Sequence, residues 1–142
     1  MGDPVEVGER YDDAFNAHDA ETRRSLLTDE SELVLPGGMR VQGPDEILGV
    51  TQAFWTAFPD GKLIGDRHVS SGSDEATEGH FEGTHDGPFS TPQGEVPASG
   101  NRVRFDYASF RRIEGGQIVS ERLYFDQMEF LQQIGALPAP PE

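Results

Sequence analysis

Apolar positions in the first part of the chain recur with a helical period. Val7, Tyr11, Ala14, Phe15 and His18 fall at i, i+4, i+7, i+8 and i+11, which predicts a helix with one buried face. Asp19 breaks that stripe and is placed to cap a second short helix running through Leu26 and Leu27. Residues 31–35 read as a strand, closed by the turn signal Pro36-Gly37-Gly38. Gly43-Pro44-Asp45-Glu46 then starts a third helix, with proline at the first helical position and acids in the first turn. Its stripe is Ile47, Thr51, Phe54, Trp55 and Phe58, and Pro59-Asp60-Gly61 stops it.

Beyond Gly61 the period drops towards two. Residues 62–69, 76–85, 102–112 and 117–125 read as strands, with turns at 70–74 and 114–116. The Gly-, Pro- and Ser-rich stretch from His85 to Asn101 predicts a long loop. Residues 127–134 predict a last helix, with Gly135 in the usual position after its end. Residues 137–142 carry three prolines and are expected to fray. Helices first and antiparallel strands afterwards is an α+β order in one domain over 1–142. Gly79 and Gly83 within a strand suit a sharp bend, so the sheet is expected to curve around the helices and enclose a pocket.

Composition narrows the functional classes. A net charge of −15, from 26 acids against 11 basic residues, repels phosphate backbones, so no nucleic-acid partner is expected. No apolar run approaches the roughly 18 residues of a membrane span, and the first residues lack the pattern of a secretory signal. No membrane partner is expected, and the expected compartment is the cytoplasm. There are no cysteines, and four histidines without ligand spacing argue against a metal. No phosphate-binding loop or dinucleotide fingerprint is present, so no cofactor is expected.

Several segments, in order, resemble the SnoaL-like polyketide (ester) cyclases of the NTF2-like superfamily. They are Phe15-Asn16-Ala17-His18-Asp19, Gly43-Pro44, Ala57-Phe58-Pro59-Asp60, Gly83-Thr84-His85-Asp86-Gly87, Gly115-Gly116-Gln117, Asp126 and Gln133-Ile134-Gly135. The resemblance implies an NTF2-like (cystatin-like) cone with a strongly curved antiparallel sheet around N-terminal helices. It implies an open-ended pocket used either for cofactor-free acid–base chemistry, in cyclases an intramolecular aldol closure of an ester substrate, or simply for binding. The position matching the family's carboxylate is Asp126.

Residues around that position give the chemistry a shape. Alternation places Ser120, Arg122, Tyr124 and Asp126 on one face of the last strand and Glu121, Leu123 and Phe125 on the other. If the first face lines the pocket, Asp126 is the acid/base, with Tyr124 or His85 as donor to the enolate oxygen. Asp126-Gln127-Met128-Glu129 is equally a capping box, whose backbone hydrogen bonds would make Asp126 a poor base. Phe54, Trp55, Phe58, Tyr107, Arg122 and His80 are candidate pocket residues, although the three on the third helix also read as core. Arg111-Arg112 reads as a local basic spot paired with surface acids.

Three functions stay open: a cyclase on a small apolar carbonyl compound, an isomerase or hydrolase on the same cone, or a non-catalytic ligand-binding or dimerisation module. Leu123 and Phe125, on the remaining face, are expected to bury against a second copy in a homodimer or larger homo-oligomer.

Overall fold

A computed structural model describes residues 3–91 and 93–138. Residues 139–142, most of the tail expected to fray, lie outside the described residues. Helix α1 (Pro4–Asn16) starts at Asp3, whose side chain accepts from Val5 N, and buries Val7, Tyr11, Ala14 and Phe15 as the stripe predicts. His18 does not share that face. The helix ends at Asn16, and His18 sits beyond it with φ at 55°, exposed, its ring stacked 4.7 Å from that of Trp55.

Helix α2 (Ala20–Ser25) is capped by Asp19 but stops short of the leucines. Leu27 instead opens strand β1 (Leu27–Val34), because it pairs with Ile118 and both side chains enter the core. Strand β2 (Arg40–Gln42) follows the Pro36-Gly37-Gly38 turn. Helix α3 (Pro44–Ala57) has Pro44 at its start and buries Ile47, Thr51, Trp55 and Ala57.

Strands β3 (Lys62–Ser71), β4 (Asp74–Thr84), β7 (Arg102–Glu114) and β8 (Gln117–Phe125) match the four expected, each within a few residues. The expected long loop contains a hairpin, β5 (Phe89–Thr91) with β6 (Gly94–Val96). Phe89 and Val96 face each other in it and pack on the core, which is what orders so polar a stretch. Helix α4 (Gln127–Gln133) closes the chain.

The main sheet runs β2-β1-β8-β7-β4-β3. Every pairing is antiparallel except β1 with β8, a parallel contact that brings the N-terminal part onto the middle of the sheet. Its concave face holds two apolar clusters. One gathers Val7, Tyr11, Leu33, Ile47 and Ile118; the other gathers Phe15, Trp55, Phe58, Phe81, Phe105 and Phe130. No helix among the described residues is long and apolar enough to cross a membrane.

The bend falls at Gly79. A Cβ there would lie 2.2 Å from the Ile64 carbonyl oxygen, beside the bulge in β3 between Gly65 and Arg67. The alternation of β4 continues unbroken past Gly83. Gly79→Ala is therefore expected to cost roughly 2–3 kcal/mol by overpacking backbone against backbone. A urea titration checks it, and a midpoint within error of the parent's would show that the sheet yields freely there.

Candidate functional site

An interior cavity of about 80 Å³ opens between the concave face and α1, α2 and α3. Most of its wall is apolar, from Phe15, Leu33, Val50, Phe54, Phe81, Phe105, Leu123 and Phe125. Asp12, Arg23, Tyr107, Arg111 and Glu121 make a polar end. A second, outer chamber of about 170 Å³ shares Leu35, Val50, Phe54 and Phe125 with the first. It is bounded by the β5–β6 hairpin and α4.

The alternation of β8 is as expected, but the opposite face turns inward. Glu121, Leu123 and Phe125 line the cavity, while Tyr124 and Arg122 are exposed on the outer face. The physical reason is hydrophobic: Leu123 and Phe125 gain the two core clusters, whereas Arg122 and Tyr124 lose little in water. Leu123 and Phe125 are accordingly not the outer surface expected to meet a second copy.

Asp126 is exposed at the start of α4 and accepts a hydrogen bond from Glu129 N at 3.0 Å. It is a helix cap and does not line either chamber. Phe54 and Tyr107 line the inner cavity. Trp55 and Phe58 are core: Trp55 Nε1 donates to Phe15 O at 3.0 Å, and Phe58 is almost fully buried. His80 lies on the outer face of β4, its Nδ1 3.0 Å from Asp66.

His85 is wholly buried beneath the loop after β4 rather than in the cavity wall. Its Nδ1 lies 2.8 Å from Ser99 Oγ and accepts from Ser99 N at 3.2 Å, and its Nε2 is buried with no partner. Burial keeps the imidazole below its ordinary range. The surrounding Gly-Thr-His-x-Gly motif is a docking device. Thr84 binds Asp60 through backbone and hydroxyl, and the N–H groups of Asp86 and Gly87 both reach Ala57 O. A Cβ at Gly87 would lie 2.0 Å from Thr56 O, so only glycine lets that segment seat on the end of α3.

The residues that organise the polar end are Asp12, Arg111 and Glu121, none of which the sequence marked as a site. Arg111 is not a surface residue: its side chain is 2% exposed and binds three carboxylates. Its Nη2 donates to Asp12 Oδ1 at 2.6 Å and its Nε to Glu121 Oε2 at 2.9 Å. Its Nη1 is spread over Asp12 Oδ2 and Glu75 Oε1 at 3.3 Å and Gly8 O at 3.4 Å. Behind it, Thr77 donates to Glu75, and His68 Nδ1 lies 2.9 Å from the same hydroxyl. The available signal was parity. Val103, Phe105, Tyr107, Ser109, Arg111 and Ile113 are every second residue of β7, and all are buried.

Glu121 combines two features. Ser109 and Arg111 both bind its Oε2, which leaves Oε1 without a hydrogen-bond partner among the described residues. Burial pushes its carboxyl up, but Arg111, Ser109 and Arg23 together hold it below the usual range. Tyr107 presents a buried hydroxyl with no partner. Burial and the charge of Asp12 push that phenol well above its ordinary range, so it stays protonated and keeps an O–H that can donate.

A curved sheet closed on helices around an internal pocket is the architecture of the ketosteroid isomerase-like fold. A protein described with that fold, from Catenulispora acidiphila and in complex with trimethylamine, superposes with a TM-score of 0.76 at 17% identity, over 96% of this chain and 98% of that one. Residues 5–134 match the SnoaL-like polyketide cyclase family, and the chain belongs to it. A candidate SnoaL-like polyketide cyclase from Jannaschia superposes with a TM-score of 0.84 at 20% identity, covering 95% of this chain and 93% of that one. IdmH, a candidate polyketide cyclase from Streptomyces antibioticus, gives 0.79 at 26% identity over 94% and 99% of the two chains. No curated protein sequence matches this one.

Proposed function

We propose that the protein closes a ring in a small, apolar, carbonyl-bearing compound by cofactor-free, aldol-type acid–base chemistry. The observation that carries the reading is the pairing of a free carboxylate oxygen on Glu121 with the unpartnered hydroxyl of Tyr107 at one end of an aromatic cavity. Glu121 removes a proton from a carbon next to a carbonyl, and Tyr107 donates to the enolate oxygen that forms. The carbanion attacks a second carbonyl of the same molecule, and the resulting alkoxide takes the proton back from Glu121. A carboxylate held below its usual range is a weak base, so the carbon must be acidified by two flanking carbonyls. Family membership and the likeness to IdmH support the same reaction class.

Tyr107→Phe tests the donor. It removes one oxygen and no apolar surface, and it is expected to lower the ring-closing rate by about 10²-fold with little change in stability. A rate within about twofold of the parent's would remove Tyr107 from the reaction. The same carboxylate could serve an isomerase or hydrolase, and a panel of ring-closing, isomerising and hydrolytic substrates separates those activities. A non-catalytic binding module draws support from Asp126, which caps a helix as that reading requires. It predicts binding without turnover across the panel.

We also infer that copies of the chain pair through the outer face of the sheet. Support comes from apolar residues on two neighbouring rows there, Val69 beside Ala76 and Ala76 beside Phe110 in one and Ala108 beside Tyr124 in the other, with Val69, Phe110 and Tyr124 more than half exposed. Phe110→Glu is expected to give a monomer by light scattering where the parent gives a dimer. A monomeric parent at micromolar concentration would end the inference.

A further inference from the structure

We propose that Arg23 is a ligand-binding residue of the interior cavity, and that it takes a ligand oxygen carrying negative charge. Two guanidinium groups line this cavity, and they stand in different states. Arg111 is fully engaged, with three carboxylates and the Gly8 carbonyl around it. Arg23 has no carboxylate within ion-pairing distance among the described residues, although the whole residue is only 7% exposed.

What holds Arg23 leaves its edge free. Its Nη1 donates to Tyr11 O at 3.1 Å, and its Cζ lies 3.7 Å from the centre of the Tyr11 ring and 5.3 Å from that of Phe15. Stacking uses the faces of the guanidinium and none of its N–H bonds, which lie in the plane. The Nε–H is buried with no partner. A buried N–H on a permanent cation, left unpaired beside a cavity, is a site for an acceptor.

Tyr107 offers the second unpartnered donor of the same polar end. Two donors suit two oxygens. A 1,3-dicarbonyl presents them, and its enolate spreads one negative charge across both. A simple ketone would occupy only one donor. The assignment rests on reading the cavity as a site of carbanion chemistry, and it adds the cation that lowers the energy of the enolate. Tyr107 supplies a neutral hydrogen bond, whereas Arg23 supplies the charge that Arg111, offset by its carboxylates, does not.

The test uses 1-phenylbutane-1,3-dione, whose enolate absorbs apart from the neutral form, so the bound probe can be titrated by absorbance. The probe bound to the parent is expected to ionise about one pH unit or more below the probe bound to Arg23→Met. Arg23→Lys, which keeps a charge, should retain most of that difference. Butyrophenone has no carbon between two carbonyls, and it should bind the parent and Arg23→Met alike. A purely structural Arg23 would alter both probes together or neither. If Arg23→Met does not fold, Arg23→Gln keeps a donor and removes the charge, and the same shift is expected. Equal ionisation in the parent and a folded neutral variant overturns the proposal, as does a parent that fails to bind the dione. No turnover is needed, so absence of ring closure counts against Glu121 and not against Arg23.

Discussion

Arg111→Met is expected to leave the chain unfolded at neutral pH. Three carboxylates, Asp12, Glu75 and Glu121, converge on this one guanidinium inside the protein. Removing the shared partner of a buried ionic cluster costs about 3–5 kcal/mol for a single pair. Here three anions lose it at once, in a domain whose whole stability is on the order of 5–15 kcal/mol.

The pH dependence gives the prediction a sign. In the parent, Glu121 is held below the usual carboxylate range, so its contribution is complete above the unfolded value of about 4.3 and is lost as pH falls through the folded value. In the variant, burial acts on Glu121 without Arg111 and keeps its proton on. Stability should then be regained on mild acidification, opposite to the parent. Near-UV circular dichroism between about pH 7 and pH 5 should show the variant gaining tertiary structure while the parent's signal stays constant, the parent's own loss coming only below about pH 4.3. Arg112→Met, one residue along on the outer face, should stay within about 0.5 kcal/mol of the parent. A folded Arg111→Met protein at pH 7 would show that the cluster is not what organises this end of the cavity.

Much of the fold could be read from the chain because local rules and tertiary packing agree there. Pro44 starts α3, Asp126 caps α4, and the two-residue period of β4 and β7 survives in the structure. The misreadings have specific causes. Leu26 and Leu27 carry no periodic signal that separates a helix end from a strand, and the parallel pairing with β8 decides it. Phe89 and Val96 meet only across a hairpin whose turn residues read as an open loop.

The site was legible in its alternation but not in its direction. The two faces of β8 were separated correctly, yet a strand pattern does not say which face is inside when both carry a carboxylate. The apolar pair Leu123 and Phe125 settles that and carries Glu121 inward with it. Arg111 was hidden by its neighbour, because adjacent arginines look like one surface patch although they point to opposite faces. Asp12 sits on the buried stripe of α1, and its role depends on a partner 99 positions away.

The second large effect concerns the two carboxylates of β8 and its end. Glu121→Gln keeps the shape of the side chain and can still accept from Ser109 and Arg111, but it cannot take up a proton. Loss of a positioned general base typically costs about 10²–10⁴-fold in rate. Asp126→Asn replaces one good helix cap with another, so both rate and stability should hold, while Asp126→Ala should cost about 1 kcal/mol of stability and little rate. The direct measurement is turnover of a ring-closing substrate by Glu121→Gln and Asp126→Asn side by side, at saturating concentration and neutral pH. The account predicts a fall of about 100-fold or more for Glu121→Gln and a rate within about twofold of the parent for Asp126→Asn. Parental turnover by Glu121→Gln together with a dead Asp126→Asn protein would contradict it.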